Sequence, residues 1–226
     1  MSAILGGARE GKYVKVEGDR LKHIRALRFK RGDECKLIVE GELFRCKLIK
    51  LAKDYVLFET IESLGKREAK RQIAVFQAIT EDLRFMDVAI DVLSQAGAKE
   101  LIPVFVKRGI SPKVQIDKRL LRWQRIALAS MQQCERSEPL YIKEPIKLED
   151  ISPKGQGIAL SLNAKAGIKN LEPTQEISIF VGPEGGLDSS EEELLETKGF
   201  IKVKLEPFVI KSAFAGAFAC SIVQNL

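Results

Sequence analysis

The sequence predicts an α/β protein in two parts: an all-β domain over residues 1–70, then an α/β layer with a largely parallel sheet over residues 71–226. Three observations predict it. Short β-rich runs crowd residues 12–62, a charged stretch without apolar period follows at ESLGKREAKRQ (62–72), and from there strand-like and helix-like segments alternate.

In the first part the runs KYVKVE, CKLIVEG, ELFRCKLIKL and DYVLFETI are separated by Gly-Asp, Glu-Gly and Lys-Asp pairs, the turn punctuation of a small β-barrel. Ile38-Val39-Glu40-Gly41-Glu42-Leu43-Phe44 reads as one hairpin. The segment LKHIRALRFKRGD (21–33) is expected to form a short helix with Leu21, Ile24, Ala26 and Leu27 on one side and Arg25, Arg28, Lys30 and Arg31 nearby. The stretch 62–72 reads as the linker between domains.

In the second part IAVFQAI, ELIPVFV, GIALSLN, EISIFVG and FIKVKL are expected as strands. Helices are expected over LRFMDVAIDVLSQAG, KRLLRWQRIALASMQQC, about Ser189 to Lys198, and from Ser212 to the end. The Ser189 helix is strongly punctuated: DSSEEE supplies an N-cap with capping-box partners expected at Glu192 and Glu193, and Gly199 is the stop.

Composition excludes several classes. With 226 residues, 45% hydrophobic and 30% charged, the chain is long enough to bury a core and is unlike disordered, collagen-like or coiled-coil sequences. Its four cysteines (Cys35, Cys46, Cys134, Cys220) form no C-x-x-C pair, which argues against a disulfide framework or a metal site and fits the reducing cytoplasm. The N-terminus lacks the pattern of a secretory signal. The uncharged run Ser212–Leu226 falls short of the roughly 20 residues needed to cross a bilayer, so no membrane partner is expected and a buried helix is.

Charge is unevenly placed. Residues 1–71 carry 18 Lys+Arg against 11 Asp+Glu, while residues 72–226 carry 19 against 20, so the whole positive excess lies in the first third. A second basic stretch, 107–136, holds eight Lys+Arg against two acids. Either stretch alone is compatible with an ordinary solvated face; together they favour a nucleic-acid partner.

The segment Phe180-Val-Gly-Pro-Glu-Gly-Gly-Leu187 is a strand end opening into a glycine-rich loop before a capped helix. Gly182, Gly185 and Gly186 would let a ligand approach backbone amides, at the strand end where α/β sheets bind ligands. The loop lacks the lysine and hydroxyl of a G-x-x-x-x-G-K-S/T phosphate loop and is not G-x-G-x-x-G. Residue types alone leave a simple tight turn open as the alternative.

Taken with LKHIRALRFKRGD, GAKELIPVFVKR (97–108), RWQRIALASMQQCERSEP (122–139) and GFIKVKLEPFVIKSAFA (199–215), the segment FVGPEGGLDSSEEE (180–193) resembles the small-subunit ribosomal RNA uridine-N3 methyltransferases of the SPOUT superfamily, over nearly the whole chain. The resemblance implies an N-terminal PUA-like RNA-binding barrel, a C-terminal SPOUT domain tied in a deep trefoil knot, S-adenosylmethionine as cofactor, small-subunit ribosomal RNA as substrate, and a homodimer. By position it implies a cofactor site on three loops: Ser161 and Leu162; Val181, Gly182, Pro183, Glu184, Gly185 and Gly186; and Leu205, Pro207 and Ile210, running on to Ser212. It implies RNA contacts at Arg25, Arg28 and Lys30 of the barrel and at Arg108, Arg122 and Arg136.

Uridine N3 carries a proton and becomes a nucleophile only when that proton leaves, so a site for this chemistry must stabilise the anion or supply a base. Lys211 is expected to stabilise the anion and Ser212 to position the pyrimidine. Cys134 is expected as a packed thiol, and His23 as structural or RNA-contacting. Where the family has Arg-Thr-Glu-Thr-Ala, this chain has Lys211-Ser212-Ala213-Phe214-Ala215, and Gln95 and Gln132 stand where glutamates are expected. A buried Lys211 without a carboxylate would have its charged form disfavoured unless RNA supplied the missing charge. Two other readings stay open: an RNA-binding assembly protein that no longer methylates, and a methyltransferase for another rRNA or tRNA position.

Overall fold

A computed structural model describes residues 3–110 and 116–226, without the side chains of His23 and Asp117. Lys113 of the second basic stretch and the expected role of His23 therefore lie outside the described residues. The chain divides into two compact units: the first runs to Glu68 and includes Met131–Glu138, and the second comprises Ala69–Ser130 and Pro139–Leu226. The segment 131–138, expected with the second part, thus groups with the first. Met131 packs with Ala3, Ile38 and Leu43, the Ala3 N–H donates to the Gln132 carbonyl, and Glu135 pairs with Lys36 and Arg67.

The first unit contains β1 (Ile4–Leu5), β2 (Ala8–Glu10), β3 (Tyr13–Glu17), helix α1 (Arg20–Ala26), β4 (Glu34–Val39), β5 (Glu42–Leu51) and β6 (Tyr55–Gly65). Its sheet runs β1-β4-β5-β6-β3-β2. Alternating side chains of β3 to β6, among them Val14, Val16, Leu37, Phe44, Leu48 and Phe58, build its core. The expected hairpin is β4–β5, turned by Glu40 and Gly41, both at positive φ as a tight two-residue turn requires. Residues 4–10 supply both edges: β1 pairs in parallel with β4, and β2 antiparallel with β3. Gly6 and Gly7 make that passage, and a Cβ on Gly7 would lie 1.8 Å from the Lys15 carbonyl oxygen.

Two expectations are corrected in this unit. The linker does not begin at 62, because β6 continues to Gly65; polar Glu62 pairs across the strands with Arg45, so no apolar pattern marks it. In α1, Leu21 and Ile24 are buried, whereas Ala26 and Leu27 are exposed, because the helix ends before Leu27 can join its apolar face.

The second unit contains β7 (Gln72–Ala78), α2 (Arg84–Gln95), β8 (Glu100–Phe105), α3 (Asp117–Cys134, its last turn in the first unit), β9 (Tyr141–Ile142), β10 (Ile146–Lys147), β11 (Gln156–Leu160), β12 (Glu176–Val181), α4 (Ser189–Thr197), β13 (Phe200–Val203) and α5 (Ser212–Asn225). The sheet order is β10-β8-β7-β12-β11-β13, with β9 beside β8, and its ladders among the described residues are all parallel. One face buries Ile73, Val75, Ile177 and Ile179 with residues of α2, α3 and α5, including the fully buried Trp123. The other buries Phe76, Ile102, Phe180 and Phe200 with Leu195 of α4, the phenylalanines meeting edge to face. Both faces being covered explains why these strands read as nearly continuous apolar runs.

Candidate active site

A parallel sheet gathers the carboxyl ends of its strands on one edge. Here β7 and β12 lie side by side, yet the chain leaving β7 continues through α2 to β8, while that leaving β12 continues through α4 to β13 on the opposite side. This divergence is the switch point at which open α/β sheets bind ligands. Gln77 and Val181 face each other in register there, and Gly182 opens the glycine loop directly beyond.

The three loops expected to hold a cofactor are brought together. The Ser161 N–H, just past β11, donates to the Val203 carbonyl at 2.9 Å, and Lys204 is stitched to Ala166 and Ile168 by backbone bonds. The Ser212 hydroxyl, at the first residue of α5, donates to the Gly182 carbonyl at 2.6 Å. Leu205 and Ile210 pack against the core, whereas Leu162 and Pro207 are exposed. Within the glycine loop Val181 and Pro183 are buried, Glu184, Gly185 and Gly186 are exposed, and the Gly186 N–H closes a turn onto the Pro183 carbonyl. Gly186 sits at φ +68° with open space where a Cβ would be.

The helix after the loop is capped differently from expectation. Asp188 is the N-cap, so the capping-box partner is Glu191 in place of Glu192 and Glu193. Lys107, just past β8, completes this corner: its ammonium meets Asp188 and Ser190 at 2.7 Å each, and its backbone N–H donates to Glu191 Oε1. The Lys107 ammonium, the Glu191 N–H and the Ser190 hydroxyl hold the Asp188 carboxyl well below the usual carboxylate range.

Three of the cations expected to meet RNA have local partners that stand out. Arg108 donates to the Gly185 carbonyl at 2.6 Å and so braces the glycine loop. Arg122 reaches Asp87 of α2 at 2.8 Å, which raises the guanidinium further above its ordinary value. In the first unit Arg25 donates to the carbonyls of Ala52 and Lys53, while Arg28, at φ +54°, and Lys30 have exposed side chains. Arg136 is half-buried in the segment 131–138.

Lys211 is exposed, so the case of a buried lysine short of a carboxylate does not arise: it precedes α5 as N-cap and makes no ion pair among the described residues. Ala213, where the family has a carboxylate, is buried. The residue that sequence reading missed is Gln77, 2% exposed, whose Nε2 donates to Ser212 Oγ at 3.1 Å. A signal was present: in IAVFQAI the residues Ile73, Val75 and Ile79 alternate on the core face, and the position of that register between Val75 and Ile79 is polar. A surface depression of about 370 Å³, lined among others by Phe105, Lys107, Leu148, Ser190 and Leu194, also lies past the strand ends, and none of the residues expected to hold the cofactor lines it.

A family model described as an RNA methyltransferase domain matches residues 67–224, and one described as an RNA methyltransferase PUA domain matches residues 16–61. The chain belongs to this RNA methyltransferase family. Among its relatives, the Ribosomal RNA small subunit methyltransferase E of Aquifex aeolicus is 30% identical over 221 residues, covering 96% of each chain. The protein of the same name from Mesomycoplasma hyopneumoniae is 28% identical over 204 residues, 88% of each. Among solved structures, the Ribosomal RNA small subunit methyltransferase E from Neisseria gonorrhoeae, bound to S-adenosyl methionine, superposes with a TM-score of 0.86 at 23% identity, over 100% of this chain and 97% of that one. This methyltransferase therefore pairs a PUA-like domain with the parallel α/β domain that carries the glycine loop.

Proposed function

We propose that this methyltransferase transfers a methyl group from S-adenosylmethionine to N3 of a uridine in small-subunit ribosomal RNA, acting in the cytoplasm as a homodimer. The observation that carries the reading is the glycine loop at the β7/β12 switch point, braced to the start of α5 by the Ser212–Gly182 bond. Near-full-length similarity to small-subunit methyltransferases supports the substrate class.

The residues fit the cofactor. Gly185 and Gly186 leave exposed backbone, with no side chain to block it at Gly186, and Leu205 and Ile210 offer apolar walls, which suits an adenine and an uncrowded sulfonium. Backbone groups of 182–186 and of 205–210, with Ser161 and Leu162, would hold it. When bound, the cofactor supplies an electrophilic methyl group. What the chain adds is charge and position. Ser212 has a single proton, and that proton goes to Gly182, so Ser212 offers the pyrimidine a lone pair only. Stabilising the N3 anion then falls to Lys211, whose exposed ammonium carries the nearest uncommitted positive charge along the chain.

The PUA-like reading of the first unit as a closed barrel is supported by residues 4–10 supplying both edge strands. A deep trefoil knot is supported by Lys204 being stitched to 166–168 ahead of α5, and by α5 packing on the turn Ile168–Asn170. The homodimer is supported by α5 itself, which buries Ala213, Ala217 and Cys220 but leaves Phe214 and Phe218 exposed on one stripe. RNA contacts are proposed at Arg25, Arg28, Lys30, Arg108, Arg122 and Arg136.

Primer extension on small-subunit RNA tests the reading, because a methyl on N3 blocks base pairing. The expected result is a cofactor-dependent stop at one uridine, abolished in Lys211→Met. Binding of RNA without any such stop would leave an assembly factor instead, and a stop in another RNA would change the substrate.

A further inference from the structure

Gln77 stands where the core of the second unit asks for an apolar side chain. Its register neighbours Ile73, Val75 and Ile79 are fully buried, and the β7 ladders to β8 and β12 form through the main chain whatever side chain stands here. The amide nevertheless leaves Oε1 buried without a partner among the described residues. An unpaired buried amide oxygen lowers stability, so the glutamine does not serve the fold.

The orientation of that amide is forced. Ser212 gives its one proton to the Gly182 carbonyl at 2.6 Å, so toward Gln77 it can only accept. Nε2 must then face Ser212, at 3.1 Å, and Oε1 must face away. One chain of hydrogen bonds thus runs from the end of β7 through the start of α5 to the Gly182 carbonyl just past β12.

We infer that Gln77 is a positioning residue of the methyl-transfer site: it fixes the rotor of the Ser212 hydroxyl, and through it holds the 205–212 loop against the glycine loop. The inference rests on the reading that the cofactor lies between those loops. The retained unpaired oxygen is the stability given up for that brace.

The test uses the full-length protein and the variants Gln77→Met, Ser212→Ala, Ser212→Thr and the double variant Gln77→Met/Ser212→Ala. Three quantities are read: melting temperature, hydrogen exchange of the 182–187 amides without cofactor, and S-adenosylmethionine affinity by calorimetry. Gln77→Met is expected to melt no lower than wild type, to exchange faster at 182–187, and to bind the cofactor about tenfold more weakly, the loss of one hydrogen bond. Ser212→Ala should match it, Ser212→Thr should restore both readouts, and the double variant should be no worse than either single change. Glycine-loop exchange unchanged in both single variants, losses that multiply in the double variant, or a Gln77→Met protein that melts well below wild type or fails to fold would overturn the inference. A wild-type protein that binds no S-adenosylmethionine would instead overturn the reading of the site, while the exchange measurement would still decide the brace.

Discussion

Lys107 and Asp188 meet at 2.7 Å, joining the end of β8 to the cap of the helix that follows the glycine loop. The pair is exposed, so its worth is modest and screened by salt, but its sign is definite. Asp188 is held below the ordinary carboxylate value of about 3.9, so its contribution is complete above that value and is lost as pH falls from there through its lowered folded-state value. Asp82, lowered to about 2 by the Arg84 side chain and backbone, behaves alike. Thermal melts between about pH 5 and pH 2 should show a falling midpoint. Asp188→Asn, which keeps a capping oxygen, should weaken that acid dependence while melting higher than Asp188→Ala at neutral pH.

Gly7→Ala should unfold the first unit selectively. The added methyl would lie 1.8 Å from the Lys15 oxygen, inside any van der Waals contact, and backbone cannot yield as a side chain does. A loss of roughly 3 kcal/mol or more is expected by denaturant titration, in line with severe overpacking. Gly11→Ala, where nothing lies within 4 Å, should cost far less despite its positive φ.

Trp123, the one tryptophan of the sequence, reports on the other unit. It is fully buried, and its Nε1 lacks a partner among the described residues. Native fluorescence should be blue-shifted. Trp123→Ala should cost about 3–5 kcal/mol, and Trp123→Phe distinctly less, because it refills most of the volume and removes the unpaired donor.

Thiol labelling separates the cysteines. Cys35 and Cys46 face each other across β4 and β5, and burial pushes both thiols up to about 12, so no thiolate forms at neutral pH. Cys220 is fully buried, whereas Cys134 is only partly so. One equivalent of a thiol reagent should react quickly with native protein, at Cys134, and four after denaturation.

How far the sequence could be read follows from where its information is local. The five long strands of the parallel sheet, the four helices of that part and the glycine loop were legible because burial on both sheet faces writes apolar runs, and caps and glycines punctuate them. What stayed hidden depends on distant pairing. Strands β1 and β2 are too short to carry a pattern, and the polar end of β6 is held by Arg45 across the strand. The segment 131–138 goes to the first unit because Glu135 finds Lys36 and Arg67 there. Gln77 was masked by the same apolar run that made its strand easy to find.

The most direct measurement is an amide NMR titration of the full-length protein with S-adenosylmethionine. Perturbations should concentrate at Ser161 and Leu162, at Val181 to Gly186, and across Leu205 to Ser212. Shifts confined to the depression around Phe105, Leu148 and Leu194, or no shifts at all, would contradict the assignment.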